Sequence, residues 1–240
     1  MALGRRLYAR TDPTGPRRRR CAIATQARLA APPSAQTWHF TEAYPGEDTV
    51  LRTARALAEE VGVGAVEPGT GAALRLLAAA GNAKAVVEIG TGTGVSGLWL
   101  LRGMRPDGVL TTIDLEAEHQ RIARRVFAEA GFSASRTRII AGRALDVLPR
   151  LADAVYDLVF LDAEPTELGP CVAAARRLLR PGGVLAVRGA LAGDRIGDPA
   201  ARDPDTIAVR EVVKAVREVD EWVPALLPVG DGLLCAVKRG

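Results

Sequence analysis

Apolar positions along the chain follow two alternating periods. Between Asp48 and Val61 the residues Val50, Leu51, Ala54, Leu57, Ala58 and Val61 recur at helical spacing, and Gly62 and Gly64 end the segment. A second helix is expected over 71–80, after Pro68. From there short apolar runs alternate with amphipathic stretches: strand 85–89, helix 94–103, strand 109–113, helix 116–130 and strand 136–140. A short helix 144–150, strand 156–161, helix 167–179, strand 184–188 and helix 204–219 follow, then strands near 222–227 and 232–238. Strands separated by helices of roughly 8–15 residues indicate an α/β fold with a parallel, doubly wound sheet. Such sheets take their ligands at the carboxyl ends of the strands. The link Pro228-Val-Gly-Asp-Gly232 is too short for a crossover, so the last two strands must pair antiparallel. Arg180-Pro-Gly-Gly183 reads as a turn ahead of the fifth strand, and the ordered part is expected to begin at Trp38.

The stretch Ala85-Val-Val-Glu-Ile-Gly-Thr-Gly-Thr-Gly-Val-Ser-Gly97 organises the rest: a buried strand, a glycine turn, then a helix N-terminus. Gly90, Gly92 and Gly94 let a ligand lie against the main chain, and the helix end offers N–H groups to an anion. The stretch fits two cofactors. From Gly92 it matches the dinucleotide pattern G-x-G-x-x-G, with Asp114 at a suitable distance for a ribose. From Glu88 it matches E-x-G-x-G-x-G, a pattern of enzymes that use S-adenosylmethionine (AdoMet). Glu88 favours AdoMet, because a buried strand-end carboxylate needs a cationic partner and would repel a pyrophosphate.

Composition narrows the setting. Apolar residues make up 48% of the 240, ample for a core, and no uncharged apolar run nears the ~18 residues needed to span a membrane. The basic N-terminus lacks an apolar stretch, so no secretory signal is expected. Cys21, Cys171 and Cys235 have no metal spacing and read as free thiols of a cytoplasmic protein. Eight arginines against Asp12 give residues 1–36 a charge of +7 and leave the remainder at −3. Residues 1–36 are therefore expected to be a disordered basic extension, and 37–240 the folded domain without a nucleic-acid footprint. The run Arg17-Arg-Arg-Arg20 is a solvated tail in this reading and an RNA-binding tail in a lesser one.

Candidate chemistry lies at strand ends. Asp114 would take both ribose hydroxyls or, more simply, cap the next helix. Gly142-Arg-Ala144 would face an adenine or form an ordinary tight turn. Asp162 should touch cofactor or substrate, while Asp157, at the start of the same strand, reads as a solvated or turn residue. His119 reads as solvated on a polar helix face. His39 could reach the site as a base, although an inert role is favoured. No Ser-His-Asp or Cys-His arrangement suggests a hydrolase.

From about residue 45 the chain resembles the caffeoyl-CoA and catechol type of AdoMet-dependent O-methyltransferases, and looks closest to small actinobacterial members. The resemblance rests on Val-Val-Glu-Ile-Gly-Thr-Gly-Thr-Gly-Val-Ser, Thr-Ile-Asp-Leu-Glu, Gly-Arg-Ala-Leu-Asp-Val-Leu-Pro, Asp-Leu-Val-Phe-Leu-Asp-Ala and the closing Leu-Leu-Pro-Val-Gly-Asp-Gly-Leu. It implies a Rossmann-like class I methyltransferase: seven mostly parallel strands in the order 3-2-1-4-5-7-6, with helices on both faces. It further implies that Glu88, Gly90, Thr91, Gly92, Ser96 and Asp114 hold AdoMet, with Ala144 at the adenine and Val66 at the methionine end. A homodimer and a small-molecule methyl acceptor are expected.

The departures from that family matter as much. Catechol-methylating members hold Mg²⁺ with an aspartate at the Asp162 position and an Asp-Asn pair ending the next strand. Here that strand ends in Arg188-Gly189, and a guanidinium repels cations. The family's general-base lysine is replaced by Pro165. A metal-independent O-methyltransferase is therefore expected. Asp162 would orient or deprotonate the acceptor, and Glu164 and Arg188 would line its pocket. Arg188 would bind an anionic substrate or pair with Asp162. The alternative is a protein that binds AdoMet or S-adenosylhomocysteine without transferring a methyl group.

Overall fold

The protein's structure, a computed structural model, describes residues 33–240. The expected basic extension lies outside the described residues up to residue 32. Helix α1 (Ala35–Ala43) starts ahead of the expected Trp38 because the Ser34 hydroxyl caps it, accepting from Thr37 N at 3.2 Å. Helix α2 (Thr49–Glu60) is capped by Asp48 in the same way and buries Leu51, Ala54 and Ala58. Helix α3 (Pro68–Ala80) begins earlier than expected, at Pro68, since proline suits the first helical position and lacks only an N–H the helix does not use.

The alternating part follows as β1 (Ala85–Ile89), α4 (Val95–Gly103), β2 (Val109–Asp114), α5 (Ala117–Glu129) and β3 (Thr137–Ala141). Then come α6 (Ala144–Val147), extended by a 3-10 turn, β4 (Tyr156–Leu161), α7 (Leu168–Leu178) and β5 (Leu179–Arg188). Helix α8 (Pro204–Glu218), β6 (Trp222–Leu227) and β7 (Leu233–Lys238) complete the chain. The strands form one sheet in the order β3-β2-β1-β4-β5-β7-β6, as the resemblance implied. The first five are mutually parallel, and β7 runs antiparallel to both β5 and β6. The reversed β7 distinguishes this sheet from the all-parallel 3-2-1-4-5-6 order of dinucleotide-binding folds. Pro224 lies in β6, at the sheet's edge, where a missing backbone donor is tolerated.

Alternation along the central strands feeds two cores. Val87, Ile89, Val159, Leu161, Leu185 and Val187 pack against α7 and α8. Val86, Leu110, Leu158, Phe160 and Ala186 pack against α2, α3, α4 and α5. Both faces being buried explains why these strands read as continuous apolar runs.

Two sequence readings are corrected here. Arg180-Pro-Gly-Gly183 is not a turn before β5 but a bulge within it: Tyr156 pairs with Leu179, and the next partners are Leu158 and Val184. Asp157 is not a solvated turn residue. Its Oδ2 accepts from the backbone of Lys84 and Ala85 at 2.7 and 2.8 Å, and its Oδ1 accepts from Arg180 Nε at 2.6 Å. One carboxylate thus pins the start of β1 to the bulge in β5. At the opposite end, Gly90 N donates to Ile113 O, Asp162 N to Ile89 O and Gly142 N to Asp114 O, all at 2.9 Å. These bonds carry the ladder past the carboxyl ends and fix the loops there. Among the described residues no helix is long and apolar enough to cross a membrane.

Candidate functional site

A cavity of about 520 Å³ opens at the carboxyl edge of the sheet. Of the expected cofactor residues, Val66, Gly90, Thr91, Gly92, Ser96, Asp114 and Ala144 all line it, as do Asp162 and Glu164. A second cavity of about 370 Å³ adjoins it, and Asp162 and Ala163 line both. Arg188 and Pro165 belong to the second cavity. Glu88 lines neither.

The glycine turn forms the floor. Gly90 has φ +91°, and a Cβ there would meet the Asp162 carbonyl oxygen at 2.4 Å, so only glycine lets β1 and β4 end so close together. Gly92 N donates to Asp114 Oδ2 at 2.8 Å, closing the turn onto the end of β2. Gly94 is the N-cap of α4, whose first amides face the ligand space around Val95 and Ser96.

Glu88 is fully buried beneath this floor. Its Oε2 accepts from Thr112 Oγ1 at 2.6 Å, and Thr112 Oγ1 lies 2.6 Å from Thr91 Oγ1, so two hydroxyls connect the carboxylate to the cavity wall. Among the described residues none is within hydrogen-bonding geometry of Oε1. Burial pushes the Glu88 carboxyl up to about 7, with the hydroxyls of Thr112 and Ser96 offsetting part of the effect and the charges of Asp162 and Asp114 adding to it. Thr112 was not foreseen. Its signal lay in register, since Thr112 is the partner of Glu88 across β1 and β2.

Asp114 combines both roles considered for it. Its Oδ1 accepts from Glu116 N at 2.9 Å, which turns the chain into α5, while the carboxylate still lines the cavity. His119, expected to be merely solvated, instead sits with Nδ1 3.9 Å from Asp114 Oδ1, its side chain 20% exposed. The first turn of α5 directs that side chain back over the end of β2. Beside Asp114, Leu115 is 62% exposed at the cavity, apolar surface that a flat ring would cover. His39 is exposed on α1 and lines neither cavity, so it does not reach the site.

Across the cavity, Gly142 takes φ +148° and leads into Ala144, the first residue of α6. Arg143 Nη2 meets Glu167 Oε1 at 2.6 Å, and both residues line the cavity. Four carboxylates (Asp114, Asp162, Glu164 and Glu167) therefore surround it against this single guanidinium. Such a lining favours a cationic ligand over a pyrophosphate. The loop Val63–Gly64–Ala65, between α2 and α3, supplies a further wall that the sequence reading missed.

Asp162 is held in part by Arg188, whose Nη1 donates to its Oδ2 at 3.0 Å. Of the two roles considered for Arg188, the structure contains the ion pair. Burial pushes the Asp162 carboxyl up and the guanidinium pulls it back, leaving it above the ordinary aspartate range. A divalent metal does not fit these residues: a guanidinium sits against the only carboxylate of the family's ligand set that the sequence retains. Among the described residues, no three acidic, histidine or cysteine side chains converge as a metal cluster.

Comparison with known proteins agrees with this architecture. The sequence matches the O-methyltransferase family profile over residues 47–239. It is 57% identical over 201 residues to a Mycobacterium tuberculosis protein named as an O-methyltransferase, covering 84% of this chain and 90% of that one. A Corynebacterium glutamicum crystal structure superposes with a TM-score of 0.80 at 37% identity, covering 85% of this chain and 98% of that one. The O-methyltransferase TomG of Streptomyces achromogenes, solved in complex with SAM, gives 0.77 at 30% identity, with 87% and 100% covered.

Proposed function

The chain belongs to the O-methyltransferase family, and from that premise we propose that it methylates a hydroxyl of a small molecule from AdoMet without a divalent metal. The observation that carries the cofactor assignment is the larger cavity: a glycine turn and helix N-terminus on one side, four carboxylates on the others. Its volume lies within the roughly 300–1,000 Å³ usual for ligand sites. The buried Glu88 Oε1, unpartnered among the described residues, adds an acceptor beneath the floor that a cationic ligand would compensate.

In this reading Asp114 holds the ribose, Ala144 and Leu115 flank the adenine, and Val66, Ser96 and the first amides of α4 receive the methionine end. Thr91 relays the charge of Glu88 to that end through Thr112. When bound, AdoMet offers an activated methyl carbon to a nucleophilic oxygen. The second cavity holds the acceptor, and Asp162, on the wall common to both, orients its hydroxyl and takes its proton on a carboxylate oxygen. Alignment of the two ligands supplies much of the remaining rate. Arg188 makes a metal unnecessary by giving Asp162 a fixed cation. We also take the protein to be a cytoplasmic homodimer; its buried, unpaired thiols Cys171 and Cys235 fit a reducing compartment.

Calorimetric titration of AdoMet, first with Mg²⁺ and then with EDTA, tests this reading. Micromolar binding indifferent to EDTA is expected; binding of NADH in its place would refute the cofactor assignment. A screen with labelled AdoMet then identifies acceptors, and an Asp162→Ala protein with full turnover on one of them would remove Asp162 from the chemistry.

A further inference from the structure

Four oxygen atoms converge on the Arg188 guanidinium at the end of β5. Nη1 donates to Gly64 O and to Asp162 Oδ2, both at 3.0 Å. Nη2 donates to Ala65 O at 3.0 Å and to Glu67 Oε1 at 3.3 Å. Two carboxylates and two main-chain carbonyls make an all-oxygen set of the kind a hard cation takes. A planar guanidinium meets the same set through directed N–H groups. The Arg188 side chain is only 18% exposed, which separates this cluster from the solvated ion pairs of the surface.

The acceptors come from separate parts of the chain. Gly64 and Ala65 belong to the loop that walls the larger cavity, and Glu67 is the N-cap of α3. Asp162 ends β4 on the wall common to both cavities. The first turn of α3, which follows the loop, is tied down as well: Glu42 of α1 accepts from Gly69 N at 2.8 Å and from Gly230 N, in the β6–β7 link, at 3.0 Å. One half-buried cation thus joins the wall of the larger cavity to that of the second.

We propose that Arg188 is the resident cation of this site: it fills an oxygen cage that, without it, would bind a divalent ion, and it locks the 63–67 loop and the Asp162 carboxylate into one arrangement. Arg188 acts as a positioning residue. It holds Oδ2 of Asp162. The proposal rests on the methyl-transfer reading only for what the two cavities hold; the cage exists independently of it.

The test uses Mn²⁺ and hydrogen exchange on the full chain. Free Mn²⁺ is read by electron paramagnetic resonance during titration of wild type, Arg188→Ala and Arg188→Lys, and exchange of the 63–67 amides is followed in each. Wild type should take up no Mn²⁺, whereas Arg188→Ala should bind one equivalent, lost again when Asp162→Ala is added. Loop exchange should rise about tenfold in Arg188→Ala, less in Arg188→Lys, and fall back in Arg188→Ala when Mn²⁺ is present. Should Arg188→Ala not fold, Arg188→Lys, which keeps the charge but loses the fork, must still exchange faster. Mn²⁺ bound by wild type through Asp162, or loop exchange unchanged in every folded variant, would overturn the proposal. Calorimetry with AdoMet runs in parallel: no AdoMet binding together with the expected Mn²⁺ and exchange pattern refutes the cofactor assignment and supports the role of Arg188.

Discussion

The Thr112 hydroxyl lies 2.6 Å from Oε2 of Glu88, its register partner, and donates a hydrogen bond to that fully buried carboxyl. Because burial raises the Glu88 pKa from 4.5 to about 7, the charged form is disfavoured in the folded protein. The stabilisation linked to its proton is complete below pH 4.5 and lost as pH rises through about 7. The shift corresponds to about 3 kcal/mol, or roughly 6–12 °C in Tm for a domain of this size. Ligand-free wild type should therefore lose thermal stability between pH 5 and pH 8 relative to Glu88→Gln, as differential scanning calorimetry would show. Thr112→Val should move the midpoint of that loss to higher pH, because the charged carboxyl loses its donor.

Gly90 and Gly92 should respond differently to alanine. Both take positive φ, but a Cβ at Gly90 meets backbone at 2.4 Å, whereas one at Gly92 meets only Val63 Cγ1 at 3.3 Å. Gly92→Ala should cost about 1–2 kcal/mol, the left-handed penalty alone. Gly90→Ala should cost clearly more and abolish AdoMet binding, because β4 must move. Urea denaturation of both variants checks the order.

Asp114→Asn should weaken AdoMet binding by roughly 10–100-fold, the worth of a hydrogen bond to a charged group. The amide oxygen can replace only one of the two acceptors, since Gly92 N meets Oδ2 and Glu116 N meets Oδ1, so a loss of about 1–3 kcal/mol in stability should accompany the change. Calorimetric titration would detect the change, and an unaltered Kd would remove Asp114 from the ribose.

Asp157→Ala tests the far end of the same sheet. Lys84 N and Ala85 N lose their acceptor and Arg180 loses its partner, so stability should fall by about 2–4 kcal/mol. AdoMet affinity of the folded fraction should stay within a few-fold, since Asp157 lines neither cavity.

Much of the site was legible because its determinants are local. Three glycines spaced by two beyond an apolar strand leave few backbone paths, and Asp114 and Asp162 end runs whose burial fixes them as parallel strands. Both carboxylates line the cavity for that reason. Legibility stopped where a side chain's partner lies far away in sequence. Arg188 meets Gly64 from 124 positions away. His119 read as solvated from its polar neighbours, yet one turn of helical phase brings it beside Asp114. Asp157 looked like a turn residue until the β5 bulge brought Arg180 to it.

By itself the sequence determined the alternation of strands and helices, the glycine turn and the family, because hydrophobic period and backbone permissiveness act within a few residues of each other. Tertiary structure alone decided what each buried charge meets. Register placed Thr112 opposite Glu88, and the packing of the α2–α3 loop over β5 gave Arg188 three oxygens beside that of Asp162. A buried charge is settled by the geometry of its neighbours, and that geometry exists only once the strands are paired and the loops have closed over their ends.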